Sequence, residues 1–303
     1  MKNQKSISIL VFVITIFAIS AASYAVFSTQ GAGQYEYRSI FGETVSIYGV
    51  GLYKHDSVSM AAQAIAQDYV TLFLGIPLLI FSLYLSRKGR LKGHLLLTGT
   101  LGYFLYTYAS YSFLSMYNSL FLVYVILMSA SFFAFTLAMM SFEIAKLPLF
   151  FKEKLPVKLI GGFLLFASFL FGMMWLGKIM KPLINHTPVE GIEHYTTLVI
   201  QALDLGFVVP IGIISGILLI KRKPFGYLLG PVIIIKDITL LTALTAMVLL
   251  QLQAGVEVQP IVVALVIGLN LIVIYLMILI LKNVKEVSGT TLQPWEEHSH
   301  KLR

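Results

Sequence analysis

Eight apolar stretches, each roughly 20 residues long, divide this chain, and their recurrence leaves few folds open. They cover 6–27, 68–86, 94–113, 119–141, 159–180, 196–220, 225–250 and 260–281. A stretch of that length crosses the ~30 Å hydrocarbon core of a bilayer as a helix, because a helix satisfies its own backbone polar groups where water is absent. A membrane barrel needs short strands of alternating polarity, which the sequence lacks. Composition agrees. Of 303 residues, 58% are hydrophobic and 12% charged, whereas about a quarter of a soluble chain is charged. The sequence predicts an all-α integral membrane protein with eight transmembrane helices.

The loops alternate in charge. One set carries Lys2 and Lys5, then Arg87, Lys88, Arg90 and Lys92, then Lys146, Lys152, Lys154 and Lys158, then Lys221, Arg222 and Lys223, and finally Lys282, Lys285, Lys301 and Arg303. The other set has only Arg38, Lys54, Lys178 and Lys181. By the positive-inside rule both termini are cytoplasmic, in a cell membrane. The net charge of +8 is then a topology signal and not a nucleic-acid footprint, and the partner it implies is the lipid bilayer. The first stretch has a second reading as a signal peptide ending at Ser23-Tyr24-Ala25, but it exceeds the 7–15 residues of a signal core and is taken as a retained span.

The two halves share a plan, which predicts two parallel four-helix repeats. The first covers 1–145 with an outer cap segment at 29–67, the second covers 146–282, and 283–303 reads as a flexible cytoplasmic tail. In each half a long outer segment leads to an aspartate, Asp68 or Asp204. A Gly and a Pro follow (Gly75 and Pro77; Pro210 and Gly212), then a basic turn, then Gly93-His94-Leu95-Leu96 against Gly226-Tyr227-Leu228-Leu229. Parallel repeats place their symmetry axis along the membrane normal, and binding sites often lie at such interfaces.

Ionisable residues within spans are costly and mark functional sites by default. Asp68, Asp204 and the pair Lys236–Asp237 qualify. With a rise of about 1.5 Å per residue, Asp68 lies roughly 28 Å from Arg87, Asp204 roughly 25 Å from Lys221 and Asp237 about 21 Å from Lys223. All therefore belong to the outer half, with Asp68 at the rim, and they predict a polar cleft open to the outside. Gln201, one turn before Asp204, shares its face, and Tyr103 and Tyr106 sit at matching depth with hydroxyls for an aspartate. Adjacent residues do not face one another on a helix, so Lys236 and Asp237 are expected to have different partners, with Asp204 the candidate for Lys236. The same charges also read as a structural polar core joining helices.

The outer segment 29–57 alternates aromatic and polar residues around Gly42, Gly49 and Gly51 and reads as a small hairpin or cap. On 181–195, His186, Glu190, Glu193 and His194 gather, and imidazole with carboxylate can ligate a metal. The spacing matches no helical zinc pattern, and Pro188 and Gly191 indicate a loop. No metal and no cofactor is assigned; His186, Glu190 and His194 are the residues a metal would use. The absence of cysteine excludes thiol catalysis and Cys-ligated clusters. No GxxxxGK[ST] or GxSxG motif occurs, which argues against ATP-driven transport and a nucleophile elbow.

Several segments resemble a family of prokaryotic multi-pass membrane proteins: GLYKHDS at 51–57, QDYVTL at 67–72, LGYFLYTYASY at 101–111, YNSLFLVYV at 117–125, LDLGFVVP at 203–210 and KRKPFGYLLGPV at 221–232. The resemblance covers most of the chain after the first stretch. It implies the helix count and length and no activity or catalytic residue. The expected function is binding or transport of a small molecule or ion. The alternatives are a membrane sensor or assembly factor, and an intramembrane enzyme acting on a lipid or quinone.

Overall fold

The computed structural model describes residues 3–285, so 286–303 of the expected tail lie outside the described residues. The fold is helical apart from one hairpin. Its helices are α1 (Gln4–Phe27), α2 (Val58–Val70), α3 (Ile76–Arg87), α4 (Leu91–Leu114), α5 (Phe121–Met140), α6 (Val157–Asn185), α7 (Val199–Leu203), α8 (Val209–Ile220), α9 (Pro224–Gln253) and α10 (Pro260–Asn283). Strands β1 (Tyr35–Arg38) and β2 (Thr44–Ile47) pair antiparallel with Tyr35 opposite Ile47, as the alternating pattern of the cap segment predicts. Gly49 makes this cap possible: its φ is +72°, and a Cβ there would lie 1.8 Å from the Gly33 carbonyl oxygen.

Among the described residues, seven helical segments are long and apolar enough to cross a membrane: α1, the continuous Val58–Arg87, α5, α6, the continuous Val199–Ile220, α9 and α10. They mark a multi-pass membrane protein. Large apolar side chains such as Phe12, Phe73, Phe81, Phe166, Phe169 and Leu271 stand exposed on them, an arrangement suited to lipid and not to water. Helix α4, the third of the eight expected spans, is 24 residues long but less apolar. It is packed among α3, α5 and α9, and Thr98, Thr100, Thr107 and Ser110 are buried on it. A helix shielded by others can carry hydroxyls that a lipid-facing helix cannot.

Two apolar cores hold the bundle, one built around α1, α3, α4 and α5 and the other around α6, α8, α9 and α10. Helix α9 joins them through its contacts with α2 and α4. At the end opposite the cap, His94 ties α4 to the ends of α3 and α5, with Nδ1 3.2 Å from Ser86 Oγ and Nε2 2.6 Å from Ser141 Oγ. There the backbone N–H of Lys152 also donates to the Asn283 carbonyl at 2.9 Å and that of Lys285 to Phe150 at 2.7 Å.

Two helices widen at matching places. Thr71–Gly75 and Asp204–Val208 are π-helical turns, each followed by a helix with Pro at its second position, Pro77 or Pro210. Proline lacks an N–H and its ring collides with the carbonyl four residues earlier. A wider turn moves that carbonyl away, and it re-aims the side chains of the turn, Asp204 among them.

Small residues set the α6–α8 distance. A Cβ on Gly216 would lie 2.7 Å from the Gly161 oxygen, and one on Gly212 2.1 Å from Ser168 Oγ. This is the close packing that small residues allow in membranes, and it places Gly161, Gly212 and Gly216 inside the protein. Gly216→Val should destabilise the purified chain by about 1–3 kcal/mol, read as a fall of several degrees in thermal midpoint. Gly162→Ala, where nothing lies within 4 Å, should leave the midpoint unchanged or slightly raised. Equal losses at the two positions would refute the close approach.

Candidate functional site

A cavity of about 460 Å³ lies between α2, α4, α6, α8, α9 and α10, within the ~300–1,000 Å³ range of small-molecule sites. It runs from Asp56 and Met60 at the cap end to Phe163 and Val273 deep in the bundle. Its walls are mostly aliphatic and aromatic, so the expected polar cleft is a chamber with apolar walls and a few fixed carboxylates. Helices α6 and α10 line opposite sides of it. Helix α6 is packed on α8 and α10 on α9, and the two make no substantial contact with each other. A second hollow near Gln4 and Arg87 is open and shallow, and no buried carboxylate lines it.

Asp204 sits at the first residue of its π-helical turn and faces the cavity. Its Oδ1 accepts a 2.7 Å hydrogen bond from the Tyr106 hydroxyl on α4, and its Oδ2 accepts a 2.9 Å bond from the Trp175 indole N–H on α6. Three helical segments thus meet at one carboxylate. Both donors are neutral, and among the described residues no cationic side chain lies within 4.0 Å of it. Tyr106 was legible in the sequence as a matching hydroxyl. Trp175 was not, because an indole in an apolar run reads as packing. The available signal is height: Trp175 lies about 27 Å along α6 from Val157, and Asp204 about 24 Å from Ile220.

Asp237 also lines the cavity. The expectation that Lys236 and Asp237 have separate partners is corrected: Lys236 Nζ lies 3.2 Å from Asp237 Oδ1. The four-carbon stem of lysine reaches back over its neighbour, which helix geometry forbids to shorter side chains. Lys236 Nζ also stands 5.0 Å from the centroid of the Tyr106 ring, within range of a cation–π attraction. Tyr106, from the first half, therefore meets two charged residues of the second, Asp204 through its hydroxyl and Lys236 through its ring face.

Asp68, expected at the rim, is buried. It is 3% exposed because the helix starts ten residues earlier than the apolar stretch, at Val58, where Ser57 Oγ caps the Met60 N–H at 3.1 Å. Its carboxylate accepts hydrogen bonds from Tyr53 (2.6 Å) and Tyr111 (3.3 Å), and Tyr111 and the neighbouring Gln67 line the cavity. Tyr103 is fully buried and receives the Gln67 amide at 2.6 Å. It lies beside the cavity without lining it, as does Gln201.

Of the metal candidates, His186 ends α6 in a left-handed conformation (φ 54°), Glu190 is exposed, and His194 Nε2 lies 3.0 Å from the His55 carbonyl oxygen. Among the described residues no group of three or more His, Asp or Glu converges on one point. No protein-family model, curated protein or solved structure matches the chain, so the site rests on its geometry alone.

The loop 186–198 is fastened over the cap end. Tyr195 donates to Asp56 Oδ1 at 2.9 Å, the Met116 N–H donates to the same oxygen at 3.1 Å, and Ser57 Oγ donates to the Glu193 carboxylate. Asp56 Oδ2 is buried without a hydrogen-bond partner among the described residues. Burial pushes the Asp56 carboxyl from an ordinary 3.8 up to about 6, against the smaller opposing effects of Met116, Tyr195 and His194. Burial also raises Glu193, which further feels Ser57, His194, Glu43 and Lys178. A fastened loop that binds protons more tightly than an open one is most stable below about pH 4 and loses that stability as pH rises to about 6. Hydrogen exchange of the 192–196 amides, corrected for intrinsic rates, should show greater protection at pH 4.5 than at pH 7.5. Asp56→Asn, which keeps an acceptor for Tyr195, should flatten much of that dependence. Protection that rises with pH would contradict this assignment.

Proposed function

We propose that this chain is a non-enzymatic, eight-span membrane protein of two parallel repeats, with both termini cytoplasmic, that binds a small molecule in its central cavity. The observation that carries the reading is the cavity itself, a chamber of ligand size in which Asp204 is held by donors from two other helices. The fastened loop at the outer end supports a role in admitting or releasing the ligand, which is the step binding shares with transport.

Helix α4 supplies the eighth crossing in this reading. Its 24 residues extend about 36 Å, enough for a bilayer, and a crossing there keeps the basic turn at 88–90 opposite the loop at 115–120. The repeat is supported by one constant spacing. Thr71–Gly75 matches Asp204–Val208, Ile76–Arg87 matches Val209–Ile220, and α4 begins at Leu91 where α9 begins at Pro224. The same spacing pairs Gly93 with Gly226. A Cβ on Gly93 would strike the backbone of Leu85 and Ser86, and one on Gly226 that of Leu218 and Leu219, which are matching positions. In this register Asp204 corresponds to Thr71 and Asp68 to Gln201, so the two aspartates are neighbours in the plan and not equivalents. Lys236 corresponds to Tyr103. The charged chamber is then a feature added to the second half.

Trp175 reports on occupancy. In a Trp295→Phe background it is the sole tryptophan. In nanodiscs, the neutral apolar fluorophore N-phenyl-1-naphthylamine should receive energy from Trp175 in a saturable manner. Ala167→Phe, which fills the cavity from α6, should abolish saturation. Transfer that never saturates, or that survives Ala167→Phe, would contradict a ligand site here.

A further inference from the structure

The chemistry of the chamber narrows what it can hold. Three carboxylates line it, from Asp56 at the cap end to Asp204 and Asp237 farther in. One ammonium, that of Lys236, lies within salt-bridge distance of them, and it is taken up by Asp237. Asp204 is met only by neutral donors. Asp56 is 3% exposed, and its Oδ2 has no hydrogen-bond partner among the described residues although the residue borders the cavity. By formal charge the chamber therefore carries more negative than positive, with the side chains of Gln63, Gln67, Thr107, Ser110, Ser115 and Ser168 as its neutral polar groups.

The walls add a second requirement. Phe163, Phe171, Trp175, Leu244, Met247 and Leu265 give an apolar surface that offers nothing to replace the hydration shell of a compact, strongly hydrated ion. An inorganic cation would need a shell of oxygen ligands, and among the described residues no three carboxylate or imidazole side chains converge to begin one. An anion would meet two carboxylates with no ammonium beside them, Asp56 and Asp204. A ligand whose charge is spread over, or attached to, an apolar body loses little on leaving water, gains the apolar walls, and can lay its charge against the ring faces of Trp175 and Tyr106.

On this basis, and resting on the reading of the cavity as a ligand site, we propose that its ligand is a lipophilic monocation. Lys236 then acts as a brake on affinity. It stands over Tyr106, where it occupies a ring face and repels a second positive charge.

Two ions of the same size and shape and opposite charge separate this proposal from the broader one. Tetraphenylphosphonium and tetraphenylborate are titrated against the Trp295→Phe chain in nanodiscs, with Trp175 emission as readout and Ala167→Phe as the filled-cavity control. Tetraphenylphosphonium should quench saturably, tetraphenylborate should not, and Asp204→Asn should weaken the cation at least tenfold. Lys236→Met should bind the cation several-fold more tightly, a gain that a misfolded variant cannot imitate, so this variant decides the matter if Asp204→Asn fails to fold. Tetraphenylborate binding as well as or better than its partner would overturn the cationic assignment while leaving the cavity reading intact, since the neutral fluorophore tests that separately. Saturable quenching by neither ion, or unchanged affinity in Lys236→Met, would also overturn the assignment.

Discussion

A carboxylate inside a membrane protein is tolerated only where other groups replace the water it has lost, and the arrangement around Asp204 follows from that constraint. Tyr106 and Trp175 reach it from helices that belong to different halves of the chain. Removing either donor would leave a half-buried acceptor short of a hydrogen bond, a loss of about 1 kcal/mol or more. The position of α4 against the second half is fixed at this point, and so is the floor on which a ligand would rest. The π-helical turn that begins at Asp204 is part of the same solution, because Pro210 widens the helix where the carboxylate must point inward.

The two ends of the bundle are fastened differently. At the basic end, backbone hydrogen bonds between 150–152 and the end of α10 and the His94 hydroxyl bridges are independent of any carboxylate. At the cap end the fastening runs through Asp56, Ser57, Glu193 and Tyr195, where two acids are held by burial in a state that favours the proton. The asymmetry gives the molecule one end fastened without carboxylates and one fastened through them, and the cavity is lined by residues of the latter. Asn270 adds a lateral tie, its amide 3.2 Å from Thr245 Oγ1 on α9, so α10 is held to α9 by polar contact.

Much of this was legible in the residues and some was not, for identifiable reasons. Apolar length gave some helices almost to their ends, as with α1 at Gln4–Phe27 against the stretch 6–27, but missed the first ten residues of the one that starts at Val58. Charge and depth singled out Asp204, Lys236 and Asp237, which do converge on one region. Depth gives height in the membrane but not direction around the helix axis, and for that reason Asp68 was expected at a rim when it lies buried beneath Tyr53 and Tyr111. The link from Asp56 to Tyr195 joins positions 139 apart in the chain and has no local signature. The apolar character of the chamber was hidden for a related reason, since a leucine facing a cavity and one facing lipid read alike.

The central claim is that Asp204, Tyr106 and Trp175 act as one unit that holds the two halves around the cavity. A double-mutant cycle on thermal or denaturant stability of the purified chain tests it most directly, using Asp204→Ala, Tyr106→Phe and the two combined. The account predicts strong non-additivity: the double variant should lose about 1 kcal/mol or more less than the sum of the single losses, because each substitution removes the partner of the other. Losses that simply add would mean that the two side chains act independently, and the account would fail.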